Sequence, residues 1–250
     1  MEQSIGKLKI ESKLDGKRVV VLGGSSGIGL EVSRQLVGER AEVIIASSNA
    51  QRVQDAVAGL GGKVTGHAVD LMDEVAIQAF FQQLGAFDHL VYTAADSLQL
   101  NELSKTDLKA ARSAFELRYW SALAAAKYAS PNIRPGGSIV LTTGIAGQRP
   151  HKGWVVVSSV AAMLEGLTRA LAVELAPLRV NCVSPGVVRT NLWQTMSEQD
   201  REAMYENIGS KLLVGRVGEA PEIASTYLYL MQQGYSTGQV IVVDGGTSLV

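Results

Sequence analysis

The chain has 250 residues, 46% of them hydrophobic, which is enough apolar material for one large α/β core or two small ones. A formal net charge of −1, with no dense Lys/Arg stripe, supplies no basic field, so nucleic acid and membrane surfaces are excluded as partners and a small-molecule substrate is favoured. The single cysteine, Cys182, excludes an internal disulfide and fits a reducing cytoplasm; its place in the apolar run RVNCVSP reads as a buried, inert thiol.

Residues 1–14 read as a flexible leader, with neither the apolar core of a signal peptide nor the Arg-rich, acid-poor balance of a transit peptide. No apolar run is expected to reach membrane-spanning length. From Lys17 onward, short runs rich in β-branched residues alternate with longer amphipathic segments. The runs RVVVLGG, EVIIAS, KVTGHAVD, DHLVYTA, GSIVLTT, RVNCVSPG and GQVIVVDGG predict seven strands. Helices are predicted near 28–38, 50–59, 73–84, 107–130, 154–175 and 219–232. Right-handed crossovers put such helices on both faces of a doubly wound parallel sheet, so residues 15–250 are expected to form a single α/β domain. The long, polar stretch after the sixth strand suggests a substrate lid near 190–215.

The first strand ends in VVVLGGSSGIG, a glycine-rich turn entering a helix at Ile28, which is the setting a dinucleotide loop needs. Gly23 permits the tight turn, Gly27 lets backbone approach a pyrophosphate, and Gly29 allows close helix packing. Ser25, Ser26 and Ile28 complete the loop, and the helix N-terminus offers free N–H groups to the anion. At the end of the second strand, IIASSNAQR has no carboxylate to take a ribose 2′-hydroxyl. Ser47, Ser48 and Asn49 offer hydrogen bonds and Arg52 a charge, a set that suits a 2′-phosphate and makes NADP(H) the expected cofactor.

From residue 15 to its end the chain resembles the short-chain dehydrogenase/reductase family. AVDL places Asp70 and Leu71 where the family closes its adenine pocket, and GQVIVVDGG matches its last strand. SPGVVRT matches its proline–glycine turn, with Pro185, Gly186, Val188 and Thr190 beside the nicotinamide. The family's NNAG turn is altered to Tyr92, Thr93, Ala94 and Ala95, the last three expected at the cofactor. The resemblance implies a Rossmann-type, seven-stranded dinucleotide-binding domain, an NADP-dependent oxidoreductase, and a homotetramer or homodimer assembled through the Ala-rich SALAAAKYAS and the helix after Trp154.

The family transfers hydride with an asparagine, a serine and a Tyr-x-x-x-Lys pair, and none of the four is present. FELRYWSA puts Arg118 at the asparagine, TTGIAG puts Gly144 at the serine, and Val157 and Ala161 stand where tyrosine and lysine belong. No Tyr-x-x-x-Lys occurs anywhere in the sequence, and Ser158 and Ser159 are rotated from Val157 by roughly 100° and 200° around the helix. Losing a general acid costs roughly 10²–10⁴-fold, or about 3–5 kcal/mol of barrier. An iminium ion, whose reduction gives a neutral amine, escapes that penalty.

Three residues become the catalytic candidates. Arg118 is either a clamp for a carboxylate, carbonyl or cofactor phosphate, or a packed salt-bridge partner. His151 either donates a proton near neutral pH or stands exposed, and Trp154 either stacks on a flat substrate or caps a helix. No metal site is expected. The phrases RYW, TTGIAGQRP and KGW also bear a weaker likeness to the fungal reductase/Diels–Alderase branch of prenylated indole alkaloid pathways, which implies NADPH-dependent reduction of an iminium-type intermediate in secondary metabolism. Two other readings stay open: a non-redox NADP(H)-binding or cyclisation-guiding protein on the same fold, and a carbonyl reductase using His151 as substitute acid.

Overall fold

Apolar runs without polar alternation need burial on both faces, and a parallel sheet between two helical layers supplies it. The computed structural model describes residues 12–98 and 100–250. Its strands are β1 (Arg18–Leu22), β2 (Glu42–Ser47), β3 (Val64–Ala68), β4 (Phe87–Tyr92), β5 (Ile133–Thr142), β6 (Arg179–Pro185), β7 (Val188–Arg189), β8 (Gly218–Glu219) and β9 (Val240–Val243). Seven of them form one parallel sheet in the order β3-β2-β1-β4-β5-β6-β9, matching the seven strands read from the sequence. The two-residue β7 and β8 make a separate ladder that was not predicted.

Every residue of β4 and β6 is buried, and side chains alternate between two cores. Val20, Leu22, Leu90, Ile139 and Val180 face one layer, covered by α3 (Glu74–Leu84), α5 (Ser121–Ala129) and α6 (Val155–Glu174). Val19, Val21, Val91, Val140 and Val183 face the other, covered by α1 (Gly27–Gly38), α2 (Ala50–Leu60) and α8 (Ala220–Gln232). Each such side chain, fully buried, contributes about 1.5–3 kcal/mol. Strand order reverses between β1 and β4, and a crevice opens at the carboxyl ends of the strands at such a switch point.

Three expectations need correction. Residues 1–11 of the expected 1–14 leader lie outside the described residues, but Leu14 is only 1% exposed and joins the core beside α1. The predicted helix over 107–130 is not uniform: α4 (Leu108–Phe115) passes through a π-helical turn at Glu116–Trp120 into α5. A widened turn frees carbonyls, and local donors take them. The backbone N–H and hydroxyl of Ser121 both reach the Glu116 carbonyl, the hydroxyl at 3.0 Å, and the Tyr92 hydroxyl donates to the Leu117 carbonyl at 2.5 Å. Finally, α6 is, by length and composition, long and apolar enough to cross a membrane, contrary to the sequence expectation. Val160, Leu164, Leu167 and Leu171 make it a core helix packed on the sheet.

Candidate active site

The crevice is a cleft of about 530 Å³ above the carboxyl ends of the strands. One half is built by the turn after β1. Gly23 has φ +85°, the left-handed region that glycine enters freely, and its Cα faces the backbone of Thr93 and Ala94 so closely that a Cβ would lie 2.6 Å from the Ala94 nitrogen. The strand-to-helix turn is thus pressed against the end of β4, where Thr93 bonds the Leu22 carbonyl through both its N–H (2.8 Å) and its hydroxyl (3.0 Å). Gly29 lies directly under this contact, against the Thr93 hydroxyl and the Gly23 carbonyl. No side chain caps α1 and no acidic residue occupies its first turn, so its N-terminus faces the cleft with its positive end available.

The structure brings most of the expected cofactor residues to the cleft wall: Gly23, Ser26, Gly27, Ile28, Ser47, Ser48, Arg52, Asp70, Leu71, Thr93, Ala94, Ala95, Arg118, Pro185, Gly186, Val188 and Thr190. Three expected residues stand apart from the lining. Ser25 is buried beneath the loop, Gly29 serves helix packing, and the Asn49 side chain accepts the Arg52 N–H at 2.9 Å as the N-cap of α2. Asn49 is therefore corrected from a ligand donor to a helix cap; an asparagine at a strand end fits either role in sequence.

In the other half the π-helical turn presents Arg118. Its side chain is 17% exposed; Nε donates to the Asp96 carboxylate at 3.1 Å, and Nη2 donates to the Asp96 backbone carbonyl. Arg118 is thus the packed salt-bridge partner that the sequence allowed, and it also lines the cleft. Trp154, the N-cap residue of α6, lines the cleft. His151 does not line it: the ring is exposed and stands edge-on to Trp154, with centroids 4.6 Å apart. The substitute-acid reading thus rests on a ring that lies outside the cleft lining, against Trp154.

Val157 and Ala161, one turn apart on α6, face the cleft. Two hydroxyls of the cleft lining, on Thr142 and Thr143, are already engaged. Thr143 donates to the Ala161 carbonyl at 2.8 Å, and Thr142 donates to the Tyr92 carbonyl at 2.6 Å while contacting the Tyr227 hydroxyl at 2.7 Å. Among the described residues, no lining side chain is a tyrosine, histidine, lysine or cysteine, and the charged lining side chains are Arg52, Asp70, Asp96 and Arg118. Cys182 lies in the core, where burial pushes its thiol up to about 12, in keeping with an inert role. Among those same residues no group of three or more His, Cys, Asp or Glu side chains is placed to hold a metal.

The expected lid is a 3₁₀ turn at Asn191–Trp193 followed by α7 (Glu198–Gly209). Trp193, Tyr205 and Val217 give it a small core, and the Trp193 Nε1–H donates to the Val188 carbonyl at 3.1 Å. Arg189 fastens it, bonding Glu202 at 2.8 Å, reaching Glu219 at 3.4 Å and lying 4.4 Å from the centre of the Tyr205 ring. Asp96, Thr142, Thr143 and Trp193 were not singled out in the sequence. Asp96 carries no local motif and meets Arg118 only through the fold.

Fold and cleft together define a dinucleotide-binding α/β protein. A family model described as an SDR-like Rossmann domain matches residues 10–250. The chain belongs to the short-chain dehydrogenase/reductase family. It is 34% identical over 249 residues to the short-chain dehydrogenase/reductase ATR9 of Stachybotrys chlorohalonatus, covering 94% of this chain and 98% of that one. A small-chain dehydrogenase solved in complex with NADPH is 37% identical with a TM-score of 0.83, covering 94% of this chain and 100% of that one. The MalC reductase/Diels–Alderase of Malbranchea aurantiaca is 30% identical with a TM-score of 0.88, covering 95% and 98%.

Proposed function

We propose that the chain is an NADP(H)-dependent reductase that delivers hydride to an electrophile needing little acid catalysis, an iminium-type or activated carbonyl compound, in secondary metabolism. One observation carries this reading: the apolar pair Val157 and Ala161 occupies the cleft wall where the family's acid and its lysine would sit, and no lining tyrosine, histidine, lysine or cysteine replaces them among the described residues. The residues present fit the cofactor. The uncapped start of α1 and the glycine turn suit a pyrophosphate, and Ser47, Ser48 and Arg52, without a carboxylate at the carboxyl end of β2, suit a 2′-phosphate. NADPH, when bound, supplies the hydride. The chain's own part is to hold and orient the electrophile: Arg118 points donors at an acceptor group, Trp154 and Trp193 offer flat apolar walls, and the segment near 190–215 screens the site from water.

The likeness to a solved NADPH complex and to a reductase/Diels–Alderase supports the cofactor and the substrate class. A small-molecule substrate, a cytoplasmic setting and a homotetramer or homodimer complete the proposal. A non-redox role in guiding a cyclisation is the second reading, favoured by that same Diels–Alderase likeness. The two separate on turnover. The purified protein is expected to oxidise NADPH with a preformed cyclic iminium at least roughly 100-fold faster than with the matching ketone, as the missing acid requires. Equal rates on both would remove the proposal.

A further inference from the structure

Asp96 holds Arg118 in an unusual way, and the consequence reaches the substrate. It binds the guanidinium twice, through its carboxylate at Nε (3.1 Å) and through its own backbone carbonyl at Nη2, so the cation is fixed along one edge. A guanidinium has five N–H donors; two are spent on Asp96 and three remain. Arg118 sits on a π-helical turn whose freed carbonyls are taken by Ser121 and Tyr92, so the mounting is rigid. The carboxylate is 35% exposed and lines the cleft beside its partner. The other lining charges, Arg52 and Asp70, follow β2 and β3 at the cofactor half, so the substrate half carries one cation and one anion in contact.

We propose that Asp96 is the specificity-determining residue of this cleft: it cancels the charge of Arg118 and keeps its donors aimed, so the site takes neutral or cationic electrophiles bearing a hydrogen-bond acceptor and turns away carboxylates. A carboxylate ligand must displace an anion already bonded to the guanidinium, whereas a carbonyl oxygen uses the free N–H groups without disturbing the pair. An iminium ion carrying a carbonyl meets no net positive field. This rests on the reductase reading for its choice of electrophile, but the discrimination itself is a binding property.

The test compares two probes of nearly the same shape, benzamide and benzoate, titrated against the full chain and followed by the fluorescence of the cleft tryptophans Trp154 and Trp193. Wild type is expected to bind benzamide at least as tightly as benzoate. In Asp96→Asn the preference should move toward benzoate by roughly tenfold or more, the size of losing one competing charge-assisted bond. Asp96→Glu, which keeps the charge, should retain the wild-type ratio. An unchanged ratio in Asp96→Asn, no benzoate binding by that variant, or an Asp96→Glu variant that behaves like it would overturn the proposal. NADPH titrated into wild type in the same series keeps the readings apart: absent cofactor binding would sink the reductase, while the probe ratio alone decides the role of Asp96.

Discussion

Gly23→Ala is expected to cost the protein nearly all of its NADPH affinity, roughly 100-fold or more, the equivalent of two tenfold steps of binding energy. An L-residue held at φ +85° is strained by about 1–2 kcal/mol. The added Cβ would also lie 2.6 Å from the Ala94 nitrogen and 2.8 Å from the Thr93 carbonyl carbon, backbone atoms that have no rotamer to escape into. Something must move, and the Thr93 bonds to the Leu22 carbonyl tie the turn to the same place. The stability loss should reach roughly 2–4 kcal/mol, as for an overpacked core site with added backbone strain. Fluorescence titration with NADPH and denaturant unfolding read the two effects separately. Gly38→Ala, with open space around its Cβ near the end of α1, is the control and should be neutral or slightly stabilising. Near-normal NADPH affinity in Gly23→Ala would refute the assignment of this turn.

The second large effect lies at the opposite ends of the strands. His89 on β4 is 4% exposed, and its Nδ1 is 2.9 Å from the Ser138 hydroxyl. Burial pushes its imidazole down from 6.5 to about 4, although the neighbouring Asp88 carboxylate opposes this. The unfolded chain therefore takes up a proton below pH 6.5 that the folded chain refuses until about pH 4. Stability is fully present above that window and is lost as pH falls through it, by about 3 kcal/mol for a shift of this size. Asp88 acts in the same direction but lower. Burial raises its carboxyl, and the Arg18 backbone N–H with Lys17 and Arg134 more than reverses this, holding it below 3.8. Denaturant unfolding at pH 7.5 and 4.5 measures the loss, and His89→Gln should flatten it across that interval. A wild-type profile as flat as the variant's would show that His89 titrates normally in the folded state.

The sheet was legible because its strands are buried on both faces: runs such as VVVL and VIIA offer no polar side to solvent, and helical stretches between them leave one topology open. The glycine turn in the cleft wall was legible for a related reason, since a turn pressed against β4 tolerates only glycine at position 23. The rest turned on contacts that a linear pattern does not carry. The π-helical turn adds one residue to a helix whose apolar pattern reads continuously through FELRYWSA, so the sequence gives no break at Glu116. Asp96 and Arg118 lie 22 residues apart and meet only because β4 and the helix after it converge at the switch point. Asn49 and His151 are polar residues at positions near the site that face elsewhere, one into a helix start and the other into solvent. The two-residue β7 and β8 are too short for any periodicity to mark.

Hydride transfer without the family's acid is tested most directly by isotope. In a single turnover, NADPH deuterated at the transferring carbon is mixed with a preformed cyclic iminium at several values between about pH 6 and 9, and the amine is analysed by mass spectrometry. One deuterium should appear in each amine formed, at a rate flat across that range, because no titrating donor takes part. Binding of NADPH with no deuterium in the product, or a rate that falls with a single acid pKa, would contradict the assignment.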